Sequence, residues 1–270
     1  MKFKHILPIL AVGFLSIQVV RADSLTELAA ALDSQNPGVR LLAVKKISID
    51  HLSGGVPHLI TAAADPDEAV RARAIEGLGL SGDSRGVGAV RKGVDDPNWP
   101  VRWRALQAMV KLGDKGALSL IMPRLSDDSF QVRVSAVQAL DHTGGPEVIE
   151  HLAVALKDPD QNVRLAAAAA LAGRKHESAY KPLVELLRYG SMYVRDRAAA
   201  ALAVLGDFRA VGPLVDALAD PVNRAGPEGR DWVNNGAAKA LADLTGQDFR
   251  RDVSAWREWW TQNKTEFLAR

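Results

Sequence analysis

The chain has 270 residues, 47% of them apolar and 24% charged, with 34 basic against 32 acidic side chains and no cysteine. That balance belongs to a folded protein and argues against disorder. The missing cysteines exclude a disulfide framework, a cysteine nucleophile and lipidation at a processing site.

At the N-terminus Lys2 and Lys4 precede an apolar run from Ile6 to Val20, and Val20-Arg21-Ala22 sets small residues at −3 and −1 of a cleavage site before Asp23. This layout predicts a secretory signal peptide over residues 1–22. The run is interrupted by Pro8 and falls short of the roughly 20 apolar residues that span a bilayer, which disfavours a retained anchor. Cleavage would remove Lys2, Lys4 and Arg21, leaving 31 bases against 32 acids. The expected mature protein is periplasmic or extracellular and nearly neutral, with little to recommend it to nucleic acid.

From there the chain is organised by one dipeptide. Val-Arg occurs at Val39-Arg40, Val70-Arg71, Val101-Arg102, Val132-Arg133, Val163-Arg164 and Val194-Arg195, each arginine 31 residues after the last. Three residues on stand Ala43, Ala74, Ala105, Ala136, Ala167 and Ala198; seven residues on stand Ile47, Leu78, Met109, Leu140, Leu171 and Leu202. Offsets of −1, +3 and +7 trace one stripe of a helix, so each copy predicts an amphipathic helix B. Between copies lie shorter apolar stretches for a helix A: Val56–Ala64, Val87–Val94, Leu118–Leu125, Val148–Leu156, Tyr180–Leu187 and Val211–Leu218. Breakers are expected at Ser53-Gly54-Gly55, Ser81-Gly82-Asp83, Gly113 to Gly116, Gly144-Gly145 and Gly206-Asp207. In the first unit Asp23 to Leu32 supplies helix A and Pro37 to Ile49 helix B. After an eight-residue insertion within Pro221 to Asp231, the stripe returns at Val233, Ala237 and Leu241 with Asn234 in the arginine position. A closing segment over 247–270 carries Phe249, Trp256, Trp259 and Trp260, expected to seal the last apolar face.

The run Asp-Pro-Asp-x-x-Val-Arg-x-x-Ala at Asp65–Ala74 and Asp158–Ala167 resembles the short bacterial HEAT-like repeat found in phycobilin lyases, over nearly all of residues 23–246. The tail resembles the end of exported bacterial HEAT-like proteins. The resemblance implies an all-α solenoid, a right-handed superhelix of about seven helix pairs plus a C-terminal cap, with B helices on the concave side and proteins as the usual partners.

An arginine close to a buried stripe needs an acid. Six residues before the arginines stand Asp65, Asp96, Asp127 and Asp158, with Ser34 and Tyr189 in the equivalent slots, and Asp220 continues this column 31 residues after Tyr189. Pairing within a repeat strands Arg40, Arg195 and Asp220. Pairing with the following repeat matches Arg40 to Asp65, Arg71 to Asp96, Arg102 to Asp127, Arg133 to Asp158 and Arg195 to Asp220, and strands Arg164 alone. The expectation is therefore a structural ladder between repeats.

Function is sought on the outward columns of helix B, where Arg73, Trp103, Arg104 and Arg197 are the expected partner contacts, with Arg224 and Arg230 of the inserted loop as a second contact. The alternative for Trp103 is burial between neighbouring repeats. The paired acids Asp127-Asp128 fall where helix N-caps are expected. No histidine pair has metal-ligand spacing, no nucleophile or phosphate-loop motif occurs, and the single His-Glu dipeptide, His176-Glu177, does not match the several such pairs of deoxyhypusine hydroxylases. No cofactor is expected. The reading is a non-enzymatic protein-interaction scaffold; the alternative is a phycobilin-lyase-like enzyme or a factor that handles a chromophore or small molecule.

Overall fold

The computed structural model describes residues 24–50, 52–220 and 232–269, and among them every regular element is helical. The leader over residues 1–22 and the inserted loop, with Arg224 and Arg230, lie outside the described residues. The chain divides after Gly144 into two compact units.

The first unit holds four helix pairs: α1 (Leu25–Ala31) with α2 (Pro37–Asp50), α3 (Leu52–Ala62) with α4 (Glu68–Ser81), α5 (Val87–Gly93) with α6 (Trp99–Leu112), and α7 (Leu118–Ile121) with α8 (Phe130–Thr143). The second holds α9 (Val148–Ala155) with α10 (Gln161–Gly173), α11 (Tyr180–Tyr189) with α12 (Met192–Leu205), α13 (Val211–Ala219) with α14 (Trp232–Thr245), and a final α15 (Val253–Leu268). Each unit is thus a stack of helical hairpins, the solenoid architecture.

Local chemistry sets the boundaries. Ser24 caps α1 in a capping box with Glu27, and Asp67 accepts the Ala69 and Val70 N–H groups at the start of α4. The Val-Arg helix α4 stops at Gly82, whose φ of 65° lies in the left-handed region that a side chain disfavours. Two expectations are corrected. Ser53-Gly54-Gly55 does not break the chain but lies within α3; a Cβ on Gly55 would come within 2.2 Å of Ile47 Cγ2, so this glycine serves close helix approach. The stretch Leu118–Leu125 is not one α-helix: beyond Ile121 it tightens into a 3-10 turn, Met122–Ser126, at Pro123, which has no N–H to donate.

The stripe residues form the core. Val39, Ala43, Ile47, Val70, Ala74, Leu78, Val101, Ala105, Met109, Val132, Ala136 and Leu140 are all buried in the first unit, as are Val163, Ala167, Leu171, Val194, Ala198 and Leu202 in the second. Within each unit the Val-Arg helices stack directly on one another, while the A helices touch each other far less. Small residues permit the tight layer: a Cβ on Gly79 would sit 2.7 Å from Ala108 Cβ, and one on Gly77 would sit 2.4 Å from Ser48 Oγ. At the far end α15 packs against α13. Trp256 is fully buried there, edge-on to Phe249 at 4.9 Å, and its indole N–H donates to the Arg250 carbonyl at 3.0 Å.

Candidate functional site

The arginine column is a hydrogen-bonded seam. In three rungs of the first unit the Nε–Nη2 edge grips both carboxylate oxygens of an aspartate 25 residues on: Arg40 on Asp65 at 2.7 Å, Arg71 on Asp96 at 2.8 and 2.9 Å, and Arg102 on Asp127 at 2.7 Å. In the second unit Arg195 Nη1 meets Asp220 at 3.2 Å. The remaining guanidinium nitrogen does something the side-chain pattern does not reveal: it ties the arginine to its own turn. Nη1 of Arg40 donates to the Ser34 carbonyl, Arg71 to Asp65 and Pro66, Arg102 to Asp96 and Pro97, Arg133 to Asp127 and Asp128, and Arg164 to Asp158 and Pro159. Each complete rung therefore fastens two consecutive turns. The Arg102 rung is the most enclosed, with side chains only 8% and 3% exposed, and Arg102 also bonds the exposed Asp128 at 2.7 Å. This corrects the capping assignment of Asp127-Asp128, because the N-cap of α8 is Ser129.

The acids respond to this setting. Burial opposes ionisation of Asp65, yet the bonds from Arg40 and the Asp67 N–H outweigh it and hold the carboxyl below its ordinary value. Asp127 is held low in the same way against its own burial by Arg102 and the Ser129 N–H. The A side carries a matching bond in Arg91 to Asp114 at 2.7 and 2.8 Å, and there the guanidinium bonds themselves are the leading cause of a lowered carboxyl pKa.

On the outward columns the structure brings Arg73, Trp103 and Arg104 together in the first unit, around an acid that sequence reasoning passed over. Glu76 accepts from Arg73 Nη1 at 2.7 Å and from Arg104 Nη1 at 3.0 Å, so one carboxylate holds two guanidinium groups from successive Val-Arg helices. Arg104 also lies over the Trp103 indole, 4.3 Å from its centroid, and Trp103 is half-buried with its ring centroid 6.4 Å from that of Trp99. Trp99, one turn earlier on α6, is 41% exposed, and Phe130 at the same position of α8 is 39% exposed. Arg73, Arg104 and Trp103 are therefore not loose surface chains but an ordered group with an exposed aromatic edge. The i, i+3 spacing of Arg73 and Glu76 is the signal that could have found the shared acid.

Arg197 belongs to the second unit, where it is exposed and lies over the exposed ring of Tyr193 at 5.5 Å. Among the described residues no group of three or more His, Asp or Glu side chains is arranged to hold a metal ion, and no helix is long and apolar enough to cross a membrane. A groove of about 600 Å³, lined in part by Asn235, Lys239, Arg250 and Arg251, collects no catalytic constellation.

The HEAT-repeat family model matches residues 56–141 and 149–225, and the PBS lyase HEAT-like repeat matches residues 132–158. The first covers more than half the chain, which belongs to the HEAT-repeat family. A search of curated proteins gave no match. Among solved structures the chain is similar to the complex of CpcE and CpcF of phycocyanin lyase from Nostoc sp. PCC7120, with 20% identity, coverage of 88% of this chain and 95% of that one, and a TM-score of 0.56. It is similar also to YibA of Escherichia coli, with 19% identity, coverage of 86% and 85%, and a TM-score of 0.63. At such identities these likenesses speak for the solenoid fold alone.

Proposed function

We propose that this chain is an exported, non-enzymatic scaffold that binds a protein partner along the outward face of its Val-Arg helices. The observation that carries the reading is the ordered group of Trp99, Trp103, Arg104, Glu76 and Arg73. A rigid aromatic pair flanked by guanidinium groups already fixed by a carboxylate loses little side-chain freedom on binding, and Trp and Arg are the residue types that dominate interface energetics. The HEAT-repeat fold supports it, since stacked hairpins offer an extended surface on which contacts from successive repeats accumulate. In the second unit Arg197 is proposed as a contact of its own, and Arg224 and Arg230, outside the described residues, as a second one.

Because Glu76 joins both arginines, reversing the charge of Arg73 and Arg104 together would crowd three carboxylates and disturb folding. Trp99→Ala and Arg104→Gln are cleaner. A partner cross-linked to the wild-type chain from a cell-envelope extract is expected to bind each variant about 10- to 100-fold more weakly, the range of a hot-spot residue. Unchanged affinity for both variants would remove this surface from the reading. Fractionation of cells, with the N-terminus of the recovered protein read by mass spectrometry, tests the export. The second reading, a lyase-like chromophore or small-molecule factor, draws on the fold likeness to the CpcE and CpcF complex. Recovery of the native chain with a bound pigment and no stoichiometric protein would favour it.

A further inference from the structure

We propose that Arg164 is an open rung of the seam, a preset guanidinium edge that takes a carboxylate from outside the chain, carried either by an acidic side chain of a bound polypeptide or by a small molecule. The proposal goes beyond the Trp99–Arg104 surface and is independent of it, since that surface lies in the other unit.

The argument starts from what aims the edge. Arg164 Nη1 donates to the Asp158 carbonyl at 2.8 Å and to the Pro159 carbonyl at 2.9 Å, the anchoring that Arg71 and Arg102 make to their own turns. A guanidinium is planar and rigid, so fixing Nη1 fixes the direction of the Nε–Nη2 edge. In Arg40, Arg71 and Arg102 that edge holds an aspartate at 2.7 to 2.9 Å. For Arg164 the residue 25 positions on is Tyr189, and among the described residues Arg164 makes no ion pair and no hydrogen bond beyond the two carbonyls.

The turn that withholds the acid has been rebuilt to stand without it. Helix α11 runs on through Tyr189, Gly190 N–H bonds the Leu186 carbonyl at 3.0 Å, and the Tyr189 side chain is turned out, 80% exposed. In other turns the aspartate also accepts the N–H two residues later, as Asp65 does from Asp67 at 2.8 Å and Asp127 from Ser129 at 3.0 Å. Here the equivalent Ser191 N–H goes to Gln161 Oε1 at 3.0 Å instead. The backbone demand of the missing carboxylate is met and its guanidinium demand is left standing. Arg164 as a whole is half-buried, and a planar two-oxygen anion is the group that satisfies both N–H donors at once.

The test is a titration of the full chain, 15N-labelled at arginine, with acetate replacing chloride at constant ionic strength, following the Nε–H resonances. Arg164 is expected to shift and saturate, while the filled edges of Arg40, Arg71 and Arg102 stay in place as internal references. Acetamide, of the same shape without charge, is expected to do nothing. Arg164→Lys keeps the charge but loses the two-pronged edge, and is expected to weaken acetate binding, followed on backbone amides of α10, at least about tenfold. A blocked peptide with a single glutamate that binds tighter than acetate identifies a polypeptide side chain as the source; equal binding identifies a small carboxylate. An Arg164 response that fails to saturate, that Arg71 shares, that acetamide reproduces, or that inorganic phosphate exceeds tenfold overturns the proposal.

Discussion

Replacing Asp127 by asparagine tests whether the seam holds the array together. The change is nearly isosteric and keeps an oxygen for the Ser129 N–H, but removes the negative charge opposite Arg102, whose side chain is only 8% exposed. Removing one partner of a buried pair costs about 3–5 kcal/mol, because the other charge is stranded in a poorly solvated place. Asp128 remains bonded to Arg102 at 2.7 Å but is itself 89% exposed and well screened, which places the expected loss near the lower end, about 3 kcal/mol. The reference is Asp220→Asn, where the acid is 31% exposed and a 3.2 Å contact joins it to Arg195; a loss of about 0–1 kcal/mol is expected there. Urea unfolding read by circular dichroism supplies the numbers, with a fall of about 1 M in midpoint for Asp127→Asn at a slope of about 3 kcal/mol/M. Hydrogen exchange supplies the location, since protection should fall first in α6 and α8. Replacing both Arg102 and Asp127 by leucine is expected to recover most of the loss, as neither charge is then stranded. A single substitution at Asp127 no more damaging than the one at Asp220 would refute the reasoning.

The same seam predicts a pH response. Asp65 and Asp127 have folded pKa values below the unfolded value of about 3.9, so the unfolded chain binds more protons; their contribution is complete above that value and is lost as pH falls through the folded values. Urea midpoints measured between pH 6 and pH 2 should stay level and then drop, and Asp127→Asn should flatten part of the drop. Gly79→Ala should destabilise by about 1–3 kcal/mol in spite of better helix propensity, because its Cβ would meet Ala108 Cβ at 2.7 Å with no flexible end to yield; a more stable variant in thermal melts would count against the close stacking. Trp256→Ala should cost about 3–5 kcal/mol and loosen α15 first, seen as early hydrogen exchange over residues 253–268.

The period of 31 residues made the hairpins legible, because a buried stripe repeats in the side chains themselves. The 25-residue offset from arginine to acid was legible for a related reason: exceptions such as Ser34 and Tyr189 distinguish one register from another. The anchoring of each arginine to its own turn was not, since carbonyl oxygens are present at every residue and leave no mark on composition. Gly55 looked like a breaker because glycine permits turns and close helix approach alike, and only Ile47 on the facing helix tells which applies. Glu76 was hidden because its partner Arg104 comes from the next repeat, 28 residues away, outside the regular column.

The complete rungs also give the stack a direction. An arginine finds its own turn's carbonyls six residues back, but its carboxylate is synthesised 25 residues later, so for most of each 31-residue period a growing chain ends in a guanidinium half satisfied. A fragment that stops just before Asp96 leaves Arg71 with a bare edge at its new terminus, whereas one that starts just after Arg71 leaves Asp96 still accepting the N–H of Asn98. Trimming this protein from its C-terminal side within the first unit therefore bares a guanidinium edge at the cut, and trimming from the other side bares a carboxylate that keeps its N–H partner.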